Sequence, residues 1–212
     1  MTLEGRLIGG RNLGVAMRNY SDANLTPTFM PALVRRRNSA SKPVPIWSND
    51  LRTLSGCYSG LSKQNNPVVV YVHKEHYFSH DDNVRTSISA GKVYQGSLIT
   101  PVEEFYRLID MKDDETVFVL DYPKEGLMFG SMEYDQAIKH PHLRPIFGVS
   151  EDEVIEYMKK SCDIFGRNRI SLCVCPIIHT VPLGNLLLLG NSATYSIATN
   201  TDVEHEAKFL CY

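Results

Sequence analysis

The chain has 212 residues, 43% of them hydrophobic, with 22 Lys and Arg against 24 Asp and Glu for a formal net charge of −2. That length suits one core, and one domain or at most two. The near-neutral balance excludes a generally basic nucleic-acid binder and an acidic disordered tail.

The opening Met1-Thr2-Leu3-Glu4-Gly5-Arg6 has no apolar segment of the kind a signal peptide needs. The longest aliphatic run, Leu186 to Leu189, is far too short to span a bilayer, so membrane insertion is not expected. Five cysteines without a CxxC pair read as reduced thiols of an intracellular chain. Residues 21 to 45 are rich in Pro, Ser, Asn and Arg, and predict a flexible arm. Inside it, Arg35-Arg36-Arg37 is the one dense basic cluster, a solvated turn or a short nuclear-import signal.

From Asn66 the pattern becomes regular. Pro67 to Val72 predicts a strand, since Pro can open it and the rest is β-branched or aromatic. Lys92 to Ile99 predicts another. Pro101 suits a first helical position, Thr100 a cap, and Glu103 and Glu104 the first turn of a helix that buries Val102, Phe105, Leu108 and Ile109. A polar turn then leads to the strand Val117 to Tyr122. Gly126 to Gly130 predicts a short strand, and Ser131 caps a helix reaching Lys139. Ser150-Glu151-Asp152-Glu153 is a capping box opening a helix with Val154, Ile155, Met158 and Cys162 on one face, ending near Gly166. Arg169 to Val181 predicts a buried strand, and Asn185 to Ala198 one or two more. Strands dominate and helices interrupt them. That order predicts a mainly β fold with inserted helices: a jelly-roll-like β-sandwich core over residues 67–212, with an extended N-terminal arm over residues 1–66.

Candidate chemistry is sparse. His73, His76, His80, Asp81 and Asp82 fall within ten residues and could ligate zinc or a harder divalent ion, which would allow a small metal-dependent hydrolase. Their spacing matches neither HExxH nor HxxEH, and the simpler reading is a polar hairpin tip. Cys173 and Cys175, with His179, share one face of a strand and form a weaker metal candidate. Gly9-Gly10-Arg11-Asn12-Leu13-Gly14 lacks the strand and the acidic residue of a dinucleotide site. No catalytic, cofactor-binding or metal-binding residue is nominated, and no enzyme is expected.

A resemblance adds to this. Arg11 to Asn19, Glu104-Phe105-Tyr106-Arg107, Val117-Phe118-Val119-Leu120, Asp135 to Lys139, Glu153 to Glu156, Arg169-Ile170-Ser171-Leu172 and Cys175-Pro176-Ile177 fall in order at spacings similar to those of the baculovirus polyhedrin and granulin family. The chain is shorter than those proteins and resembles a divergent member, such as one from a nudivirus. The resemblance implies a structural protein of viral occlusion bodies, formed in the host nucleus, which packs with copies of itself into crystals around virions. A non-crystalline capsid or interaction protein of the same fold is the alternative. The resemblance also implies an intermolecular disulfide among Cys57, Cys175 and Cys211, the first and last of which are expected near the surface. Dissolution in alkali is expected as Lys, Tyr and Cys titrate between about pH 9.5 and 11.

Overall fold

The computed structural model describes residues 5–40, 45–122, 129–173, 178–190, 197–198, 203 and 205–212. In chain order β1 (Arg6–Gly10) leads into α1 (Leu13–Asp22), whose Asn12 cap accepts the Val15 N–H at 2.9 Å. Next come α2 (Met30–Ser39), α3 (Pro45–Ser48), β2 (Leu51–Leu61) and β3 (Pro67–Val72). A 3-10 turn (Tyr77–Ser79) precedes α4 (Asp81–Ser89), β4 (Val93–Tyr94), β5 (Ser97–Ile99), α5 (Val102–Asp110) and β6 (Val117–Asp121). Then follow β7 (Phe129–Glu133), α6 (Tyr134–Ala137), α7 (Leu143–Phe147) and α8 (Glu151–Phe165). The last strands are β8 (Arg169–Cys173), β9 (Leu183–Leu189), β10 (Ile197–Ala198) and β11 (Ala207–Cys211).

The eleven strands among the described residues join one mixed sheet whose main path runs β1-β11-β2-β9-β10-β8-β7. The pair β2 and β9 is its centre, antiparallel, with a register irregularity between Arg52 and Gly56. β3 and then β6 extend the sheet from the second half of β2, and the β4–β5 hairpin attaches to β9. The first and last strands are neighbours, β1 antiparallel to β11 from Arg6↔Cys211 to Gly10↔Ala207.

Strand side chains alternate between faces, and the two faces bury different cores. On one, Cys57 of β2, Val69 and Tyr71 of β3, and Leu187 and Leu189 of β9 meet Leu33 and Val34 of α2, Ile146 of α7 and Val154 and Met158 of α8. On the other, Tyr58, Val70, Leu186 and Phe209 meet Leu13 and Met17 of α1, Val84 of α4 and Phe105 of α5. Helices therefore cover both faces of a single sheet. A jelly-roll sandwich, in which two sheets face each other, is not what the chain forms.

The expected N-terminal arm is likewise corrected. Residues 5 to 66 supply an edge strand, three helices and the longest described strand of the sheet, and the hydrogen-bonded neighbours β2 and β3 straddle the expected boundary at residue 66. The stretch misled because β2 is assembled from small and polar residues, Thr53, Ser55, Gly56, Ser59 and Gly60, all buried. Their polar atoms are met internally, as where Ser55 Oγ accepts the Met30 N–H at 2.8 Å.

Further along, β3, α5, β6 and the capped α8 form where the pattern places them. Pro101 takes the cap position of α5 rather than the first helical one, and Val102 is exposed. Lys92 to Ile99 folds back on itself at Gln95 and Gly96, both at positive φ, the geometry of a tight two-residue hairpin turn. Ser131 lies in β7 rather than at a helix cap. Of the strand expected from Arg169 to Val181, β8 covers Arg169–Cys173, and residues 174–177 lie outside the described residues. The expected hairpin tip at 73–82 is instead a 3-10 turn followed by a helix. Among the described residues no helix is long and apolar enough to cross a membrane.

Candidate binding surface

The β4–β5 turn, the start of α5, the β2–β3 turn and the segment leading into β9 converge on one surface. Leu98 and Ile99 of β5 pair with Gly184 and Leu183 of β9, and the Thr100 N–H donates to the Pro182 carbonyl at 2.8 Å. Those bonds fix the entrance of α5 beside residues 179–182. Across the hairpin, the Val203 N–H donates to the Gly96 carbonyl at 3.1 Å. The β2–β3 turn is held by the Ser62 N–H on the Asn66 carbonyl at 2.8 Å, with Asn65 left-handed at φ 63°.

The side chains this frame presents are apolar and aromatic. Tyr94 (37% exposed), Val102 (40%) and Val181 (37%) are three of the four exposed large hydrophobic residues among those described; the fourth, Leu7, lies on β1. The Tyr94 ring lies 4.5 Å from that of His179, whose Nδ1 accepts the Val181 N–H at 3.1 Å. One turn along α5 from Val102, Tyr106 carries the Lys63 ammonium 5.5 Å from its ring centroid, and Lys63 also pairs with Asp110 at 3.0 Å. A cavity of about 310 Å³ opens between Leu61, Lys63, Val102, Tyr106, Thr180 and Pro182. Exposed tyrosine beside apolar groups marks this face as a candidate contact surface. Sequence reading missed it, placing Val102 in the core, because only the β5–β9 pairing brings these separate stretches together.

The histidines expected as metal ligands are committed elsewhere. Ser55 Oγ accepts the Met30 N–H, so its hydroxyl donates to His73 Nδ1 at 2.9 Å, and His73 Nε2–H donates to the Pro145 carbonyl at 2.7 Å. His76 Nε2–H donates to the Leu54 carbonyl at 2.7 Å, while its Nδ1 accepts from Tyr58 Oη at 2.5 Å and the Phe78 N–H at 3.2 Å. Burial lowers both imidazoles to about 4, so they are neutral at pH 7. Neither ring keeps a lone pair for a metal. His80 is exposed, and Asp81 and Asp82 begin α4 and face Arg85 at 3.5 and 3.8 Å. Among the described residues no three His, Cys, Asp or Glu side chains could hold a metal ion.

The remaining candidates separate too. Cys57 and Cys211 are buried rather than near the surface, and burial pushes both thiols up, Cys211 to about 12. Cys175 and the Cys173 side chain lie outside the described residues. Of the arginine triplet, Arg35 pairs with Glu153 at 2.6 Å and Arg36 lies 4.8 Å from the Tyr212 ring centroid. Arg37 is fully buried, so the three do not form one solvated cluster. Helical spacing could have separated them, because Met30, Leu33, Val34 and Arg37 share a face.

No protein-family model matches the chain, and no curated protein matches it. Among solved structures the chain is similar to one reported as "Accommodation of massive sequence variation in Nanoarchaeota by the C-type lectin fold". The two are 31% identical with a TM-score of 0.87, over 97% of this chain and 96% of that one. This overturns the polyhedrin resemblance, which rested on short segments that are individually common. It likewise replaces the jelly-roll with a fold of mixed sheet and helices. At that identity over almost the whole of both chains, the protein belongs to the family of the Nanoarchaeota protein and has the C-type lectin fold.

Proposed function

We propose that the chain is a non-enzymatic recognition protein that binds a protein partner through the face around Tyr94, Val102, Tyr106, His179 and Val181. The observation that carries this reading is the likeness to a protein in which the C-type lectin fold accommodates massive sequence variation. A fold tolerates variation when a rigid core sets the backbone and the exposed side chains contribute little to stability. The packing here fits that division. Phe105 and Leu108 of α5 and Leu98 of β5 are locked in a buried core, while Tyr94, Val102 and Val181 of the same region are exposed. The occlusion-body reading, with its crystal lattice, enclosed virions and nuclear site, rested on the polyhedrin resemblance and has no other observation behind it.

The test is a triple variant, Tyr94→Ser with Val102→Ser and Val181→Ser. Its thermal midpoint should stay within about 3 °C of the parent, because exposed positions carry little stability. Both chains are immobilised and exposed to the same extract, and a protein held by the parent alone is purified and titrated. Its affinity should fall at least tenfold in the variant. Equal affinity for every purified partner, or a variant that unfolds, would overturn the reading.

A further inference from the structure

The helices α1 and α4 line an open cleft of about 520 Å³. Asn12, Val15 and Arg18 line it from the α1 side and Arg85, Thr86, Ile88 and Ser89 from α4. The helices approach closely at Gly14, where a methyl group would sit 3.4 Å from Ile88 Cδ1 and 3.7 Å from Arg85 Cγ. Arg18 has no hydrogen-bond or ion-pair partner among the described residues. Arg85 uses only Nη1, toward Asp81 at 3.5 Å and Asp82 at 3.8 Å. Both separations exceed the 2.7–2.9 Å or so of a strong charge-assisted bond. Asp82 also lines the cleft, but its side chain is 88% exposed and can turn to solvent, which leaves the two arginines as the cationic groups of the cleft.

We propose that this cleft binds a phosphate monoester. Two guanidinium groups lining one cleft suit a compact dianion, and a phosphate monoester carries close to two charges at pH 7 with oxygens that accept forked N–H pairs. The Asn12 amide and the Thr86 and Ser89 hydroxyls supply neutral donors. The volume is many times what inorganic phosphate fills, and Val15 and Ile88 give the remaining space an apolar side, so the ligand bears an organic body. This site is separate from the proposed recognition face and does not depend on it.

Titration of the full chain with phenyl phosphate, at about 0.15 M salt to suppress unspecific charge attraction, tests the proposal. Phenyl phosphate should bind saturably, more tightly than inorganic phosphate and than benzoate. Arg18→Gln and Arg85→Gln should each weaken it roughly tenfold or more, since a hydrogen bond to a charged group is worth that much, with the thermal midpoint unchanged. Vesicles containing phosphatidic acid separate the sources of this chemistry. Sedimentation with them, reversed by phenyl phosphate, assigns a lipid headgroup; retained phenyl phosphate binding without sedimentation assigns a soluble ester. Absence of saturable binding, benzoate binding as tightly, or affinity unchanged in both arginine variants would overturn the proposal.

Discussion

Arg37 spends its guanidinium on neutral acceptors. Nε donates to the Ile46 carbonyl, Nη1 to the Gly190 carbonyl and Tyr157 Oη, and Nη2 to the Asn49 and Leu189 carbonyls. Its charge also lies 5.2 Å from the centroid of the Trp47 ring, which stacks on Tyr157. One side chain thus joins α2, α3, α8 and the end of β9. Arg37→Ala would leave four carbonyl oxygens without this donor and open a cavity. We expect a loss of about 4 kcal/mol or more, against about 1 kcal/mol for Arg36→Ala, whose partly buried guanidinium lies over the Tyr212 ring. Urea melts of the two variants check this, and equal midpoints would show that the buried network contributes nothing. The letters Arg-Arg-Arg hide this difference. Burial of a cation becomes visible only when the segment is treated as a helix, and its composition argued for an arm.

At the scale of elements, the span of α8 was legible because its start is written in local chemistry, although its buried face is Val154, Tyr157, Met158 and Ser161 rather than the expected Val154, Ile155, Met158 and Cys162. Ser150 Oγ accepts the Glu153 N–H at 3.3 Å, and Glu153 Oε2 accepts the Ser150 N–H at 3.0 Å. Hydrogen bonding to Arg35 of α2, then to Ser150, lowers the Glu153 carboxyl to about 2. Ser150→Ala should cost about 1 kcal/mol and lower the thermal midpoint by roughly 2–4 °C in a chain of this size. Ser150→Gly should cost only a few tenths of a kcal/mol. Calorimetry that ranks Gly below Ala would contradict this account of the cap. Elements stabilised by distant partners left no such mark. β2 falls within the expected N-terminal arm because hydrogen bonds to β3, β9 and β11 stabilise it rather than an alternating apolar pattern. The recognition face was illegible for the same reason, since its parts are joined by the sheet and not by the chain.

For the whole molecule, burial of neutral titratable groups sets the useful pH range. His73, His76 and His142 are each lowered from 6.5 to about 4 by burial. Between those values the unfolded chain binds protons that the folded chain refuses, so stability is full above about pH 6.5 and falls with acid. Below about pH 4, His73 and His76 would each have withdrawn on the order of 3 kcal/mol. On the alkaline side, burial raises Tyr20, Tyr58, Tyr71 and Cys57, and Cys211 to about 12. A raised acid contributes stability that is complete below its unfolded value and lost as pH climbs past it, from about 9 upward. These groups therefore resist the titration that the composition suggested between pH 9.5 and 11, and release it only on unfolding. Thermal midpoints measured from pH 3 to 11 should form a plateau between about 6.5 and 9 with a fall on each side. A midpoint that is constant from pH 4 to 7 would contradict the histidine assignment.

The pairing of β1 with β11 has a mechanical consequence. Arg6 lies opposite Cys211 and Gly10 opposite Ala207, so a chain gripped at residues 5 and 212 is gripped at the same end of one antiparallel ladder. Tension there opens the ladder one hydrogen bond at a time, in the manner of a zip, instead of loading all of them together in shear. β1 would peel away first while the β2–β9 centre remained closed. A protein tethered by one end bears no such load, whereas one strung between two anchors would yield at low force, beginning at the strand that starts it.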